Sequence, residues 1–128
     1  IMGLGNGFAD FQGTVAPTLV TEDIAVPYTD VDSQSWTSGS LDIYRRGKVG
    51  VLNVLLFGSK TLANGDSVIL YTLTDDNVPT YETYGSLWTD AGLMNVTVST
   101  SGNIVMQNLT GASVTITKLI GSMPIVFV

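Results

Sequence analysis

One stretch of the chain concentrates side chains suited to binding a saccharide. It belongs to a segment, Thr74 to Gly92, that is predicted to be a long polar loop, and such loops are uncommon without a functional reason. Aromatic rings cover the C–H face of a sugar, while carboxylates accept hydrogen bonds from its hydroxyls. The predicted saccharide-binding residues are Asp75, Asp76, Tyr81, Tyr84 and Trp88. In the alternative interpretation Trp88 is buried and only pins the loop to a sheet.

The same loop has carboxylates that bear on catalysis, namely Asp75, Asp76, Glu82 and Asp90. Glycoside hydrolysis needs two carboxyl groups at a defined separation across a cleft, and this sequence does not define such a pair. The chain contains no cysteine and no histidine, which excludes a Ser-His-Asp triad and a histidine-bearing zinc site within it. We therefore predict a protein that is not an enzyme and holds no metal ion or cofactor.

A second acidic segment, residues 22–32, raises the question of calcium. It contains Glu22 and Asp23, and Asp30 and Asp32 alternate as oxygen ligands on a calcium-binding loop often do. The segment lacks the glycine and the terminal glutamate of an EF-hand. A solvated acidic loop is the favoured interpretation, and calcium binding is the alternative.

The charge balance excludes two classes of partner. Five cations against eleven acidic residues give a net charge of −6, so we predict no nucleic-acid partner. Three of the cations, Arg45, Arg46 and Lys48, flank one predicted turn and are expected to form a solvated edge rather than a phosphate site. No apolar run approaches about 20 residues, so we predict no membrane insertion.

The period of the apolar residues predicts an all-β fold. From residue 40 they alternate, with Leu41, Ile43 and Arg45 on one face of a first strand. Short strands divided by glycine-containing turns indicate an antiparallel β-sandwich or a barrel over residues 36–128. Residues 1–35 are predicted to be an irregular lead-in or linker with at most a short edge strand near residues 24–26. Because the chain begins at Ile1, we expect it to be a fragment or a processed product.

Several predicted strands are apolar on both faces. In the segment Val49–Phe57, Leu52, Val54 and Leu56 oppose an equally apolar set, and the last residues, 123–128, are apolar throughout. Further along, Ile116 and Ile120 are predicted to share one face, opposite Leu119. A monomeric antiparallel sheet usually exposes one polar face, so the two-sided strands favour an oligomer. The alternative is a monomer with a covering loop.

Two hairpins resemble a known family. The segment Gly39-Ser40-Leu41-Asp42-Ile43-Tyr44-Arg45-Arg46-Gly47-Lys48-Val49, preceded by Trp36, resembles the G-x-L-x-x-x-R-x-G-x-V hairpin of phage tail-fibre and baseplate receptor-binding head domains. The segment Thr100-Ser101-Gly102-Asn103-Ile104 is similar to the hairpin that precedes their last strand. The resemblance covers residues 36–57 and 93–128. Residues 1–35 match neither the coiled-coil nor the collagen-like neck of such proteins.

The resemblance implies a function. It implies a homotrimeric head domain with an antiparallel β-sandwich or jelly-roll-like fold, carried on the virion and in contact with other virion subunits. Such a domain recognises a host-surface saccharide and is not an enzyme. The alternative is a structural virion protein, such as a capsid-decoration or tail-assembly domain, that binds no glycan.

Overall fold

Eight β-strands make up most of the molecule. The computed structural model describes residues 21–32 and 35–127. The strands are β1 (Thr21–Pro27), β2 (Trp36–Arg46), β3 (Val49–Leu62), β4 (Ser67–Thr72), β5 (Thr83–Thr89), β6 (Gly92–Val98), β7 (Asn103–Gln107) and β8 (Val114–Val126). Two short 3-10 helices, Tyr28–Asp30 and Asp75–Asn77, lie in the connections.

All eight strands belong to one curled antiparallel sheet in the order β1-β2-β3-β8-β5-β6-β7-β4. Strands β5 and β8 are joined by only two residue pairs, Trp88 with Ile120 and Thr89 with Leu119. Inward-facing side chains from both sides of this junction form a single apolar core. The predicted all-β antiparallel fold is confirmed.

The predicted alternation on β2 and β3 is confirmed as well. Leu41 and Ile43 of β2 are fully buried, and Leu52, Val54 and Leu56 of β3 face the same core. Trp36, at the start of β2, is also buried, as its position beside the first strong strand suggested. Each such side chain contributes about 1.5–3 kcal/mol of burial free energy, so these two strands anchor the fold.

On β8 the prediction is wrong in part. The β3–β8 register shifts between Phe57 and Lys60, and this irregularity changes which residues of β8 face inward. Ile116 is buried before the shift, but after it Leu119 is buried and Ile120 faces outward. Strand β8 is continuous from Val114 to Val126.

The predicted loop from Thr74 to Gly92 is wrong for Thr83–Thr89 and for Gly92, which belong to strands. It contains strand β5, whose residues Leu87 and Thr89 are buried while Tyr84, Ser86 and Trp88 are exposed. The strand pairs with β6 along its whole length. Thus Trp88 lies on a strand in the sheet and not on a loop.

Strand β1 is the predicted edge strand, and it is longer than expected. All seven of its residues pair with β2. Residues 1–20, 33, 34 and 128 lie outside the described part, so the proposed division of the chain at residue 35 stays a prediction.

The prediction that Arg45 is a solvated cation is wrong. This residue faces inward on β2 and is 2% exposed, with its guanidinium 4.4 Å from the centroid of the Phe127 ring. Its Nε donates to the carbonyl oxygen of Gly47 at 2.7 Å, and its Nη1 donates to the side chain of Asn77 at 3.1 Å. Arg45 therefore holds the β2–β3 turn and the connection after β4 together. Arg46 and Lys48 are exposed, as predicted.

The carboxylates of residues 22–32 point to separate partners. Asp23 pairs with Arg46 at 2.9 Å, and Asp32 pairs with Lys60 at 2.9 Å. Within residues 21–32 and 35–127, no group of three or more potential ligands converges on a metal site. Across the same residues, no helix has the length and apolar character needed to cross a membrane.

Candidate functional site

On the outer face of β5, a small residue lies between two aromatic residues. Tyr84, Ser86 and Trp88 alternate with inward-facing residues and are all exposed. At the usual rise of about 3.3 Å per residue, Tyr84 and Trp88 stand about 13 Å apart with Ser86 midway between them. This spacing leaves a gap over Ser86 that is bounded by an aromatic side chain at each end.

Polar side chains from two further strands extend this gap into a groove. Ser86 pairs with Asn95 on β6, and Asn95 pairs in turn with Gln107 on β7. One row along, Tyr84 pairs with Thr97. The groove has a volume of about 470 Å³ and is lined by Tyr84, Gly85, Ser86, Asn95, Val96, Thr97 and Gln107.

The polar groups of the groove are free to bind a ligand. Within the part of the chain that the structure describes, no side-chain hydrogen bond occupies Ser86, Asn95 or Thr97, whereas Gln107 donates to the carbonyl oxygen of Gly65 at 3.1 Å. Hydroxyl and amide groups each donate and accept, which matches the hydroxyl groups of a sugar.

Tyr84 is held at the groove by its neighbour Glu82. The phenol hydroxyl donates a hydrogen bond to the Glu82 carboxylate. This bond, with the negative charge of Glu82, raises the pKa of Tyr84 above its ordinary value. A phenol is protonated at neutral pH in any case, and the Tyr84 oxygen has lone pairs with which to accept a ligand hydroxyl.

The surface next to the groove, on the side of Trp88, is apolar. Leu55, Ile120, Trp88 and Leu93 lie opposite one another on the adjacent strands β3, β8, β5 and β6, and all four are exposed. We call this set the apolar row. The ammonium group of Lys118 lies 5.8 Å from the centroid of the Trp88 ring and 5.7 Å from that of Phe57. Cation–π attraction therefore orients the ring at the end of the groove.

Asp90 fixes the β5–β6 turn onto β8. Its carboxylate accepts hydrogen bonds from the Thr117 hydroxyl, from the backbone N–H of Thr117 at 2.9 Å and from that of Lys118 at 3.2 Å. Because these bonds favour the charged carboxylate, with the Thr117 hydroxyl contributing most, the pKa of Asp90 is lowered. The turn next to Trp88 is thereby tied to the strand that supports the groove.

The structure places the predicted saccharide residues in two regions. Tyr84 and Trp88 share the outer face of β5, and Tyr81 is exposed in the preceding connection. Asp75 and Asp76 lie in the second 3-10 helix, where the Asp76 carbonyl oxygen accepts from Arg45. No hydrogen bond among the described residues joins either aspartate to the aromatic residues. The five-residue set stays a prediction.

Sequence reasoning missed the polar residues of the groove. Ser86, Asn95 and Thr97 become neighbours only through the pairing of β5 with β6. The available signal was the alternation on β6, where Asn95 and Thr97 are interspersed with the inward-facing Met94, Val96 and Val98. That alternation predicts an outward position for Asn95 and Thr97, although it does not identify the strand beside them.

Comparison with known proteins establishes the fold. The chain is similar to the crystal structure of the head domain of phage bIL170. The report of that crystal structure asks whether the receptor-binding domains of lactococcal phages share a common fold. The TM-score is 0.59 at 18% sequence identity, over 80% of this chain and 99% of that one. No protein-family model and no curated protein matches the sequence. The chain thus has the fold of a phage receptor-binding head domain, and the predicted resemblance is confirmed.

Proposed function

We propose that this chain is the head domain of a phage tail-fibre or baseplate receptor-binding protein, carried on the virion, which binds a host-surface saccharide without catalysing a reaction on it. The observation that carries the proposal is the fold it shares with nearly the whole phage bIL170 head domain. The groove on β5, β6 and β7 supports the saccharide, because it combines exposed aromatic side chains with unoccupied hydroxyl and amide groups.

A homotrimer is part of the proposal. The outer face of β3 and β8 bears a stripe of exposed apolar side chains, the β3–β8 stripe: Val49, Val51, Leu55, Phe57, Ile120 and Val126. Among the outward-facing side chains of these two strands, Lys118 is the charged one, although the chain carries 16 charged residues in all. Apolar character with depleted charge is typical of the core of a subunit interface, so we assign the stripe to contacts between copies of this chain.

Binding of the labelled domain to an array of bacterial surface glycans tests the function. The proposal expects saturable binding to a defined subset of glycans, with no release of reducing sugar. Co-purification with another virion subunit, without binding to any glycan or to any glycan-bearing cell, would instead establish the structural virion protein.

Changing Trp88 to alanine separates recognition from stability. Trp88 is 47% exposed, so its removal should cost clearly less than the about 3–5 kcal/mol that a buried large aromatic residue costs. Glycan binding should be lost, because the ring that covers the C–H face of the sugar is gone. Urea denaturation and array binding of the same preparation measure both effects. Unchanged glycan binding would remove Trp88 from the site.

A further inference from the structure

We infer that the groove on β5, β6 and β7 binds one ring of an uncharged saccharide. The inference rests on the proposed function and identifies its ligand class and its location. It differs from the predicted site in replacing Asp75 and Asp76 with the polar residues of β6.

The dimensions fit one sugar ring. The groove volume of about 470 Å³ lies within the range of about 300–1,000 Å³ typical of small-molecule sites. Ser86 is the small residue at the centre, and Tyr84 and Trp88 rise from the same strand on either side of it. A ring placed over Ser86 therefore has an aromatic side chain at each end, and both aromatic residues belong to the same subunit.

The polar groups fit hydroxyl groups. Ser86, Asn95 and Thr97 lie on two paired strands, so their positions are fixed by the sheet rather than by a loop. None of the three side chains is engaged elsewhere among the described residues. Binding a hydroxylated ligand thus breaks no internal hydrogen bond, and it requires little ordering of the backbone.

The charges favour an uncharged ring. No side chain that lines the groove carries a charge at neutral pH. The carboxylate of Glu82 is bonded to Tyr84 at one end, while Lys118 contacts the Trp88 ring near Asp90, beyond that ring as seen from Ser86. An acidic sugar would therefore meet the Glu82 carboxylate at the Tyr84 end and find no cation among the side chains that line the groove, on a chain of net charge −6.

The test is a titration of the isotope-labelled domain with methyl glycosides of neutral hexoses and of 2-acetamido hexoses, followed by NMR. Backbone resonances of Ser86, Asn95 and Thr97 should shift in a saturable way with at least one neutral glycoside. The corresponding uronic acid and hexose phosphate should bind at least about tenfold more weakly. A preference for either acidic sugar, or for a cationic amino sugar, would overturn the inference.

A filling substitution, Ser86→Trp, tests the position. The affinity of Ser86→Trp for the glycan selected on the array should be at least about tenfold lower, because the added ring occupies the gap between Tyr84 and Trp88. Ser113→Trp is the matched control, since Ser113 is also exposed, just before β8 and away from the groove residues, and its side chain makes no hydrogen bond in the described structure. The control should bind as the unchanged domain does.

The outcomes separate the two proposals. If the domain binds glycans or host cells and Ser86→Trp binds them equally well, the groove is excluded while the receptor-binding function stands. If the domain binds neither, both proposals fail. A circular dichroism spectrum and a melting temperature like those of the control show that Ser86→Trp is folded, so that loss of binding reports on the groove itself.

Discussion

At the scale of single residues, two of the three glycines in the resembling hairpins, Gly39 and Gly102, have a steric reason for being glycine. Gly39 has a φ of +102°, and a Cβ placed on it would lie 2.0 Å from the carbonyl oxygen of Leu55 on the neighbouring strand. Gly102 has a φ of +91°, and a Cβ there would lie 2.2 Å from the carbonyl oxygen of Leu73. In both cases the obstacle is backbone, which cannot rotate away as a side chain can. The glycines therefore fix the approach of neighbouring chain segments.

Replacing Gly39 with alanine should destabilise the domain more than the backbone conformation alone requires. That conformation costs about 1–3 kcal/mol for a residue with a side chain, and displacing the β3 backbone adds to the cost. Gly65→Ala is the control, because Gly65 also has a positive φ, of +85°, but a Cβ there meets nothing within 4 Å. Urea unfolding of the two variants measures the difference. Equal losses would contradict a role for the close approach to Leu55.

Arg45 shows how a single charge is redirected by its environment. The sequence placed it correctly on the face of Leu41 and Ile43, yet grouped it with Arg46 and Lys48 as a solvated cation. In the structure its guanidinium is packed on Phe127 and bonded to Gly47 and Asn77. A planar group with several donors can hold the turn and the distant connection at once, which a lysine ammonium cannot do in the same geometry.

At the scale of elements, Asp90 links two strands in a pH-dependent way. Its pKa is lowered in the folded state, so its contribution to stability is present above the unfolded value of about 3.9 and is lost as the pH falls through the lower folded value. Asp90→Asn should therefore lower the melting temperature at pH 7, and the gap between the variant and the unchanged domain should close below about pH 4.

Asp66→Asn is the control for this experiment. The Asp66 side chain is exposed and accepts no hydrogen bond in the described structure, so the melting temperature of Asp66→Asn should follow that of the unchanged domain closely from pH 7 to pH 3. Thermal unfolding followed by circular dichroism across this range gives the comparison. A gap for Asp90→Asn that persists unchanged at pH 3 would show that its bonds to Thr117 do not depend on charge.

Elements with dense apolar alternation were predictable, and elements that depend on a partner strand were not. The faces of β2 and β3 follow from the sequence because every second residue is large and apolar. The sequence predicts a loop where strand β5 lies, because Leu87 is the only large apolar residue on the inner face of this strand. Two residues earlier, the inner position is Gly85, and the Met123 side chain occupies the space next to it. The outward position of Ile120 depends on the register shift near Lys60, which only the pairing of β3 with β8 creates.

The candidate site divides along the same lines. Tyr84 and Trp88 were selected by their chemistry, which the sequence states directly. The sequence does not single out Ser86, Asn95 and Thr97, because each is a common polar residue. They form a binding surface only through the residues that lie opposite them on the paired strand. Asp75 and Asp76 were included because they are close in sequence, whereas the chain carries them toward Arg45.

At the scale of the whole molecule, the β3–β8 stripe predicts the oligomeric state. Its six side chains are all exposed in the single chain, and Val51 lies near its middle, opposite Pro124 of β8. Val51→Asp would place a charge among the apolar side chains of the proposed interface, where the neighbouring cation, Arg46 of β2 opposite Val49, is already paired with Asp23. We therefore expect the unchanged domain to be a trimer in solution and Val51→Asp to dissociate it while each subunit stays folded.

The choice of position and control makes this prediction specific. Ile125 would be a misleading target despite its place in the apolar C-terminal segment, because it is fully buried and a charge there would unfold the subunit. Ile69→Asp is the matched control: Ile69 is exposed on the edge strand β4, away from the stripe, and its change should leave the trimer intact. Light scattering gives the mass of each variant against a single chain of 13.5 kDa. A monodisperse monomer for the unchanged domain would remove the trimer from the proposal, whereas dissociation by Ile69→Asp but not by Val51→Asp would move the interface to the β4 edge.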